Sequence, residues 1–535
     1  MDTMFATVTS VLRRQSSNLQ RFAPNWIPIV GLVVLFLVAY AYRLSTAIQP
    51  GVSHDDAEYI VLAESFATGR PYRLVNFPDA PLESVWPPGY PLFFLTLPWR
   101  LLDGDPYLLR LANVAIAILV IVLGYLLLKQ TIATELALGG VVLLALNPTF
   151  VGLATINMSD IAFTGMCIAS LYALTRWQKT DSKTWYLFAT LLLAVAILTR
   201  YQGIAVLIAV ALYLVLQRKP RHAAVLVIGV CVLLLPFVLF VTQETGNDTS
   251  SFLAVQIASR SITSYAQNAA LSFYSYWKAI PLVVVPLLGP SVEGFLASVQ
   301  LAWLVPVLHS VLIAVILMGF LLLSLRQPLI GLAVGCYVLL IFLMTNHRGG
   351  QLVVFDEPRY AVPVLLFLYT SLLLGTMAIA RYLFGEKHAQ IATRVTLILL
   401  LAVLVVRNIQ QSQVTFSVAD LSAGATWVQA NTSKDAVFMT PDPIPRYIHL
   451  RRHTVDYPEN EETFWREVRE SNVTHIMIAP PLRVDNQANV LQQPDHRVTD
   501  VILPIIAQSP DCFVAALQDP VGRVEVFQVA EPCRS

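Results

Sequence analysis

The chain has 535 residues, of which 56% are apolar or aromatic and only 13% are Asp, Glu, Lys or Arg, and its mean hydropathy is +0.64. Soluble domains carry roughly 25% charged residues, so this composition excludes a water-covered globule and a disordered chain, and a net charge of +1 leaves no basic footprint for nucleic acid. A polytopic membrane protein remains, and its few charges are the informative residues.

A bilayer-spanning helix needs about 20 consecutive apolar residues. Such runs lie at roughly 26–45, 106–128, 133–153, 160–176, 185–199, 203–217, 222–242, 302–325, 329–345, 361–380 and 391–408. They predict a mainly α transmembrane bundle of about eleven spans. The runs 185–199 and 203–217 are short, which leaves a partly re-entrant path open. No small-residue cleavage site follows the first run, so it reads as an anchor and not as a removed signal peptide.

Basic residues set the orientation. Arg13, Arg14 and Arg21 precede the first span, and alternate short connections carry Lys129; Arg176, Lys179 and Lys183; Arg218, Lys219 and Arg221; Arg326; and Arg381, Lys387 and Arg394. Short basic loops are cytoplasmic. The N-terminus is then inside and, with an odd number of spans, the C-terminus outside. The long connections, about 46–105, 243–300 and 346–360, are external and hold most of the unusual polar residues.

The first external loop opens His54-Asp55-Asp56-Ala57-Glu58-Tyr59, three carboxylates within four residues beside a membrane. Such groups are costly there unless hydrated, paired or used. Asp55 also fits a helix N-cap, with a helix beginning near Ala57. Further on stands Glu83-Ser84-Val85-Trp86-Pro87-Pro88-Gly89-Tyr90, whose paired prolines predict a rigid turn presenting Glu83 at the membrane surface. Trp86 and Tyr90 equally suit an interfacial aromatic belt.

Asp160 starts the fourth span, either as a cap or facing a cavity shared with Asp55. Arg200 interrupts apolar sequence between two short spans, where phosphate is a natural partner and snorkelling the bland alternative. Arg359, in Asp356-Glu357-Pro358-Arg359-Tyr360, enters a late span; it fits an anionic head group or a local ion pair equally well. Under the derived topology Asp55, Glu83, Asp160, Arg200 and Arg359 share one membrane face. Carboxylates to deprotonate an acceptor hydroxyl and arginines to stabilise a leaving phosphate suit group transfer from a lipid phosphate.

From about 415 the chain is more charged. Ala436–Thr440, His475–Ala479 and Val524–Val529 read as strands and Glu461–Ser471 as an amphipathic helix. This predicts a transmembrane domain at 1–410, with external loops 46–105 and 243–300, and a small external α/β domain at 415–535. Cys512 and Cys533 share that domain and, outside the cytoplasm, could pair as a disulfide. No CxxC or Cys/His cluster points to a metal.

These motifs resemble the GT-C glycosyltransferases, in particular the protein O-mannosyltransferases and the aminoarabinose transferases that modify lipid A. Asp55-Asp56-Ala57-Glu58-Tyr59 looks like that family's Asp-Glu-x-x-Tyr opening, and Glu83 to Leu92 like its acidic residue plus Pro-Pro turn. Ser159-Asp160, Leu198-Thr199-Arg200 to Gly203 and Arg359-Tyr360 to Pro363 look like later motifs in the same order. The tail, with Trp427, Asn431-Thr432 and Arg446-Tyr447, is similar to the external domain of bacterial members. The resemblance implies an inverting transferase in a bacterial inner membrane. It would move sugar from a polyprenyl-phosphate donor to a lipid, glycan or protein acceptor.

By the same resemblance Asp55 is the acceptor-activating base, Asp160 and Glu83 position or assist, and Arg200 and Arg359 bind the donor phosphate. His54, Glu58, Tyr59, Trp86 and Tyr360 line the substrates. Asp56 stands where the family has Glu, which leaves the roles of Asp55 and Asp56 open to exchange. Trp86 stands where lipid A modifying members have Lys. A divalent cation on Asp55, Asp56 and Asp160 is conceivable but not favoured, and no cofactor is expected.

Two other classes compete. A transporter or lipid flippase would place its charges near the bilayer midplane, often within inverted repeats, and no repeat is evident. A non-catalytic scaffold would explain the tail but not the acidic first loop.

Overall fold

The computed structural model describes residues 26–44, 47–70, 72–83, 86–245, 262–286, 298, 300–344, 358–412, 421–480, 495–519 and 524–534. Arg13, Arg14, Arg21, Ser84, Val85, Asp356 and Glu357 lie outside the described residues. Among the described residues each apolar run is largely helical. After α1 (Trp26–Leu44) comes a helix of the first long connection, α2 (Asp55–Ala67). The chain continues through α3 (Arg110–Lys129), α4 (Thr134–Leu146), α5 (Pro148–Ala154), α6 (Ser159–Thr180), α7 (Lys183–Thr199), α8 (Gly203–Leu216) and α9 (Pro220–Thr245). Then follow α10 (Ile262–Val284), α11 (Leu304–Arg326), α12 (Pro328–Met344), α13 (Val362–Phe384) and α14 (Glu386–Ser412).

The chain is a multi-pass membrane protein. Among the described residues six helices are long and apolar enough to cross a membrane, or seven if the bent pair α4–α5 is one span. With 17 and 14 residues, α7 and α8 extend only roughly 26 and 21 Å, short of a ~30 Å hydrocarbon core. The 243–300 connection contains α10, where Ser264, Gln267, Asn268, Ser272 and Ser275 interrupt any long apolar run in the sequence.

Polar and small residues join the helices. Between α4 and α5 the chain bends by 58° at Asn147-Pro148, because proline cannot donate to the preceding turn. Asn147 Oδ1 accepts from the amides of Thr149 (2.9 Å) and Phe150 (3.0 Å) and so caps α5. Its Nδ2 donates to Val283 O (2.8 Å) and Tyr369 Oη (2.9 Å), tying the bend to α10 and α13. Gly319 and Gly375 bring α11 and α13 into backbone contact: a Cβ on Gly319 would fall 2.6 Å from the Ser371 carbonyl carbon. The bundle centre is α6, buried along most of its length, while α9 turns Val225, Ile228, Val232 and Val238 outward.

The C-terminal region forms a five-stranded sheet of order β2-β1-β3-β5-β4, from β1 (Val437–Met439), β2 (His453–Val455), β3 (His475–Ile478), β4 (Phe513–Asp519) and β5 (Val524–Val529). β1 pairs in parallel with β2 and β3, and β5 antiparallel with β3 and β4. Among the described residues α15 (Pro443–Leu450) lies between β1 and β2, α16 (Glu461–Glu470) between β2 and β3, and a short helix, Leu503–Gln508, between β3 and β4; an Asn460/Thr463 capping box closes α16. β2 and β4 were not evident in the sequence: β2 is three residues long, and the Phe513–Leu517 run suits a buried helix equally well. A disulfide joins Cys512 to Cys533.

Candidate active site

Asp55 is the first residue of α2, and Asp55, Asp56 and Glu58 all lie in that helix's first turn, where carboxylates complement the helix dipole. The residue ahead of it, His54, has a positive φ of 61°, which turns the chain sharply into the helix. The adjacent aspartates then diverge. Asp55 Oδ2 accepts from Arg359 Nη1 at 2.8 Å. Asp56 is fully buried and accepts from the Gly51 amide and the Ser53 hydroxyl, both at 2.9 Å. Burial raises the Asp56 pKa, and those two hydrogen bonds only partly offset it.

α6 and α7 form an antiparallel hairpin, so the start of one meets the end of the other. Arg200 follows α7 in extended backbone and reaches Asp160 Oδ1 at 2.8 Å and Ser159 Oγ at 3.2 Å. This pair is deep, with side chains only 9% and 2% exposed. Asp160 Oδ2 is buried without a hydrogen-bond partner among the described residues.

Tyr360 links the two ion pairs. It lies on a short 3-10 turn, Pro358–Ala361, leading into α13. Arg200 Cζ sits 5.3 Å from its ring centre and Arg359 Cζ 5.4 Å. Ser159 Oγ lies 3.0 Å from the hydroxyl of Tyr59, four residues after Asp55 and on the same helical face. The contacts therefore close a circuit: Asp55, Arg359, Tyr360, Arg200, Asp160 with Ser159, Tyr59 and back to Asp55.

Around that circuit, the rings of Trp86 and Tyr90 lie 5.8 and 5.0 Å from Tyr59. Glu83 is buried within its own turn, where Oε1 accepts from the Trp86 amide at 3.3 Å. His54 and Glu58 pair at the exposed rim (3.5 Å), and the Glu58 hydrogen bond raises the His54 pKa against an opposing effect of burial. Two residues beyond the sequence-derived candidates matter. Gly89 packs on the Leu198–Thr199 backbone just before Arg200, and the Tyr337 hydroxyl donates to Tyr360 O at 2.9 Å. The Pro87-Pro88-Gly89 turn hinted at the first; nothing local marked the second.

From Tyr360 a small apolar groove runs between α10, α12 and α13, past Tyr276, Tyr337, Phe342 and Val364. Among the described residues no group of three or more His, Cys, Asp or Glu side chains is arranged to hold a metal ion.

Residues 87–243 match the dolichyl-phosphate-mannose-protein mannosyltransferase family. No curated protein matches the chain in sequence. In structure it is similar to ArnT from Cupriavidus metallidurans bound to undecaprenyl phosphate. The identity is 15% and the TM-score 0.56, over 96% of this chain and 100% of that one. An Archaeoglobus fulgidus oligosaccharyltransferase in complex with zinc and sulfate is 15% identical, with a TM-score of 0.52 over 83% of this chain and 67% of that one. The same enzyme tethered to an acceptor peptide is 14% identical, with a TM-score of 0.53 over 85% and 69%. These likenesses establish the fold, a membrane helical bundle with a C-terminal domain.

Proposed function

We propose that this chain is a GT-C glycosyltransferase. It transfers a sugar from a polyprenyl-phosphate donor to a hydroxyl of a lipid, glycan or protein at the outer face of a bacterial inner membrane. One observation carries the reading: two arginines flank a single tyrosine ring at the end of an apolar groove. A polyprenyl-phosphate sugar has the matching chemistry, an apolar chain ending in an anionic phosphodiester that gains a second charge as the sugar leaves. The undecaprenyl phosphate of the similar ArnT structure supports the same donor class.

In this reading the phosphate enters between Arg200 and Arg359. Arg359 turns from Asp55 to the phosphate, which frees the Asp55 carboxylate for the acceptor. Asp55 takes the acceptor hydroxyl proton, the oxygen attacks the anomeric carbon, and the bond to phosphate breaks on the opposite face with inversion. The arginines stabilise the charge on the leaving polyprenyl phosphate. Asp160 holds Arg200, and its second oxygen is available to a substrate hydroxyl. Glu83 acts through the turn, while His54, Glu58, Tyr59, Trp86 and Tyr360 shape the sugar and acceptor space.

The proposed topology has about eleven spans, the N-terminus in the cytoplasm and the C-terminal domain outside. The hairpin α6–α7 supports it: Asp160 and Arg200 lie at one end, and Arg176, Lys179 and Lys183 at the other. The Cys512–Cys533 disulfide fits an oxidising compartment.

Asp55→Asn tests the mechanism. It is expected to lower transfer from a polyprenyl-phosphate sugar by about 10²–10⁴-fold, with expression and membrane insertion unchanged. Normal transfer by this variant would remove Asp55 as the base. Mass spectrometry of envelope glycans and glycoproteins, with and without the gene, identifies sugar and acceptor together.

A further inference from the structure

Asp55 is carried by a helix whose other end belongs to the external domain. Glu64 Oε1 accepts from the Tyr447 hydroxyl at 3.0 Å and Oε2 from Arg451 Nη1 at 3.1 Å, both from α15 or the residue that ends it. Arg451 also donates to the Gly104 carbonyl, and its backbone is left-handed, with φ 55°. A non-glycine residue keeps that conformation where its surroundings over-determine it. The Glu64 and Arg451 side chains are 16% and 28% exposed.

Apolar packing runs alongside. Ala57, Ile60 and Val61 of α2 share one cluster with Ile444, Tyr447 and Ile448 of α15. The chain leading into α2 is held by the same domain: His449 Nε2 donates to Pro50 O at 2.8 Å, and the Leu421 amide to Gln49 Oε1 at 3.0 Å.

Helix geometry gives these contacts a consequence. Glu64 comes nine residues after Asp55, which at 3.6 residues per turn places it about 180° round the helix. Apolar packing alone leaves a helix free to roll by small amounts. A carboxylate bonded through both oxygens to two different side chains fixes its rotation. Pinning Glu64 on the outer face therefore sets the direction of Asp55 on the inner face.

We infer that Glu64, Tyr447 and Arg451 are positioning residues, a latch by which the external domain orients Asp55 toward Arg359. This rests on the reading of Asp55 as the base. It makes the external domain part of the transfer machinery without any contact between that domain and the reacting atoms.

The test uses the full chain in lipid nanodiscs, as Glu64→Gln, Arg451→Met, Tyr447→Phe and the Glu64→Gln/Arg451→Met double variant. Amide hydrogen exchange reports the helix directly. Residues 55–67 are expected to exchange at least about ten-fold faster in the Glu64 and Arg451 variants, with α6 and strands β1 and β3 unchanged. The transfer kcat is expected to fall by about ten-fold or more, as misplacement of a reacting group predicts, with the donor KM unchanged. Tyr447→Phe falls between these variants and wild type, and the double variant is no worse than the worse single one.

Wild-type exchange across 55–67 would overturn the inference. So would a loss of protection spread equally over the external sheet, which marks general destabilisation, or a rise in donor KM at constant kcat. If the wild-type chain transfers no sugar, the proposed function fails, while the exchange measurement still decides the latch.

Discussion

Gly89→Ala is the most discriminating single change, because the structure allows it no relief. A Cβ there would lie 2.5 Å from the Leu198 carbonyl carbon, 2.6 Å from its oxygen and 2.7 Å from the Thr199 nitrogen. Carbon contacts settle at roughly 3.5–4.0 Å, so the turn and the end of α7 would have to separate by about 1 Å. All three obstructing atoms are backbone, so no rotamer change absorbs the overlap. The turn itself is pinned: Tyr90 Oη donates to Asn113 Oδ1 at 3.0 Å, and the Trp86 and Tyr90 rings pack on Tyr59. The movement therefore passes largely to Thr199 and its neighbour Arg200. A shift of about 1 Å stretches the 2.8 Å Arg200–Asp160 contact beyond hydrogen-bond range. Overpacking of this kind costs about 1–3 kcal/mol, and an ångström of misplacement lowers a catalysed rate by up to about 10²-fold. The assay is sugar transfer in proteoliposomes beside a thermal melt. Gly335→Ala is the control, since it sits in α12 with nothing within 4 Å of the added carbon. Wild-type melting and transfer by Gly89→Ala would refute the claim that this turn sets Arg200.

Two further perturbations probe other parts of the molecule. Asp160→Asn or Arg200→Met removes one partner of a buried pair and is expected to destabilise the protein by about 3–5 kcal/mol; the double variant should cost less than the sum, as a double-mutant cycle on thermal melts would read. In the C-terminal domain His475 stacks on Phe438 at 4.7 Å, and burial, with Arg534 adding to it, lowers its pKa from 6.5 to about 4. The unfolded imidazole takes up its proton near pH 6.5 and the folded one only near 4, so stability contributed by this group is present above pH 6.5 and falls as the pH drops toward 4. His475→Phe keeps the stacking and should flatten that acid-side loss, measured as melting temperature between pH 7 and 4.5.

The helices were legible because lipid and core make the same demand. A position facing either must be apolar, so a span reads as a run with no need to know its neighbours. That rule misses α10, where serines and amides interrupt the run, and it misses β2, too short to carry a period. The site was legible only as a set of candidates. A carboxylate at a helix start has the same local signature whether it caps the helix, binds a partner or meets a substrate, and Asp55, Asp56 and Asp160 all begin helices. Adjacent residues on a helix point about 100° apart, which is enough to send Asp55 to Arg359 and Asp56 into the Gly51–Ser53 turn. What separates their roles is the partner. Arg359 is 304 residues from Asp55, a distance over which no local pattern specifies pairing. Gly89 makes the same point from the other side. Its local reading is a turn residue, yet its contact is a helix end about 110 residues further along the chain, which reaches it only after the intervening helices have packed. A residue's chemistry is local, but its function here depends on which distant backbone or charge the bundle brings against it.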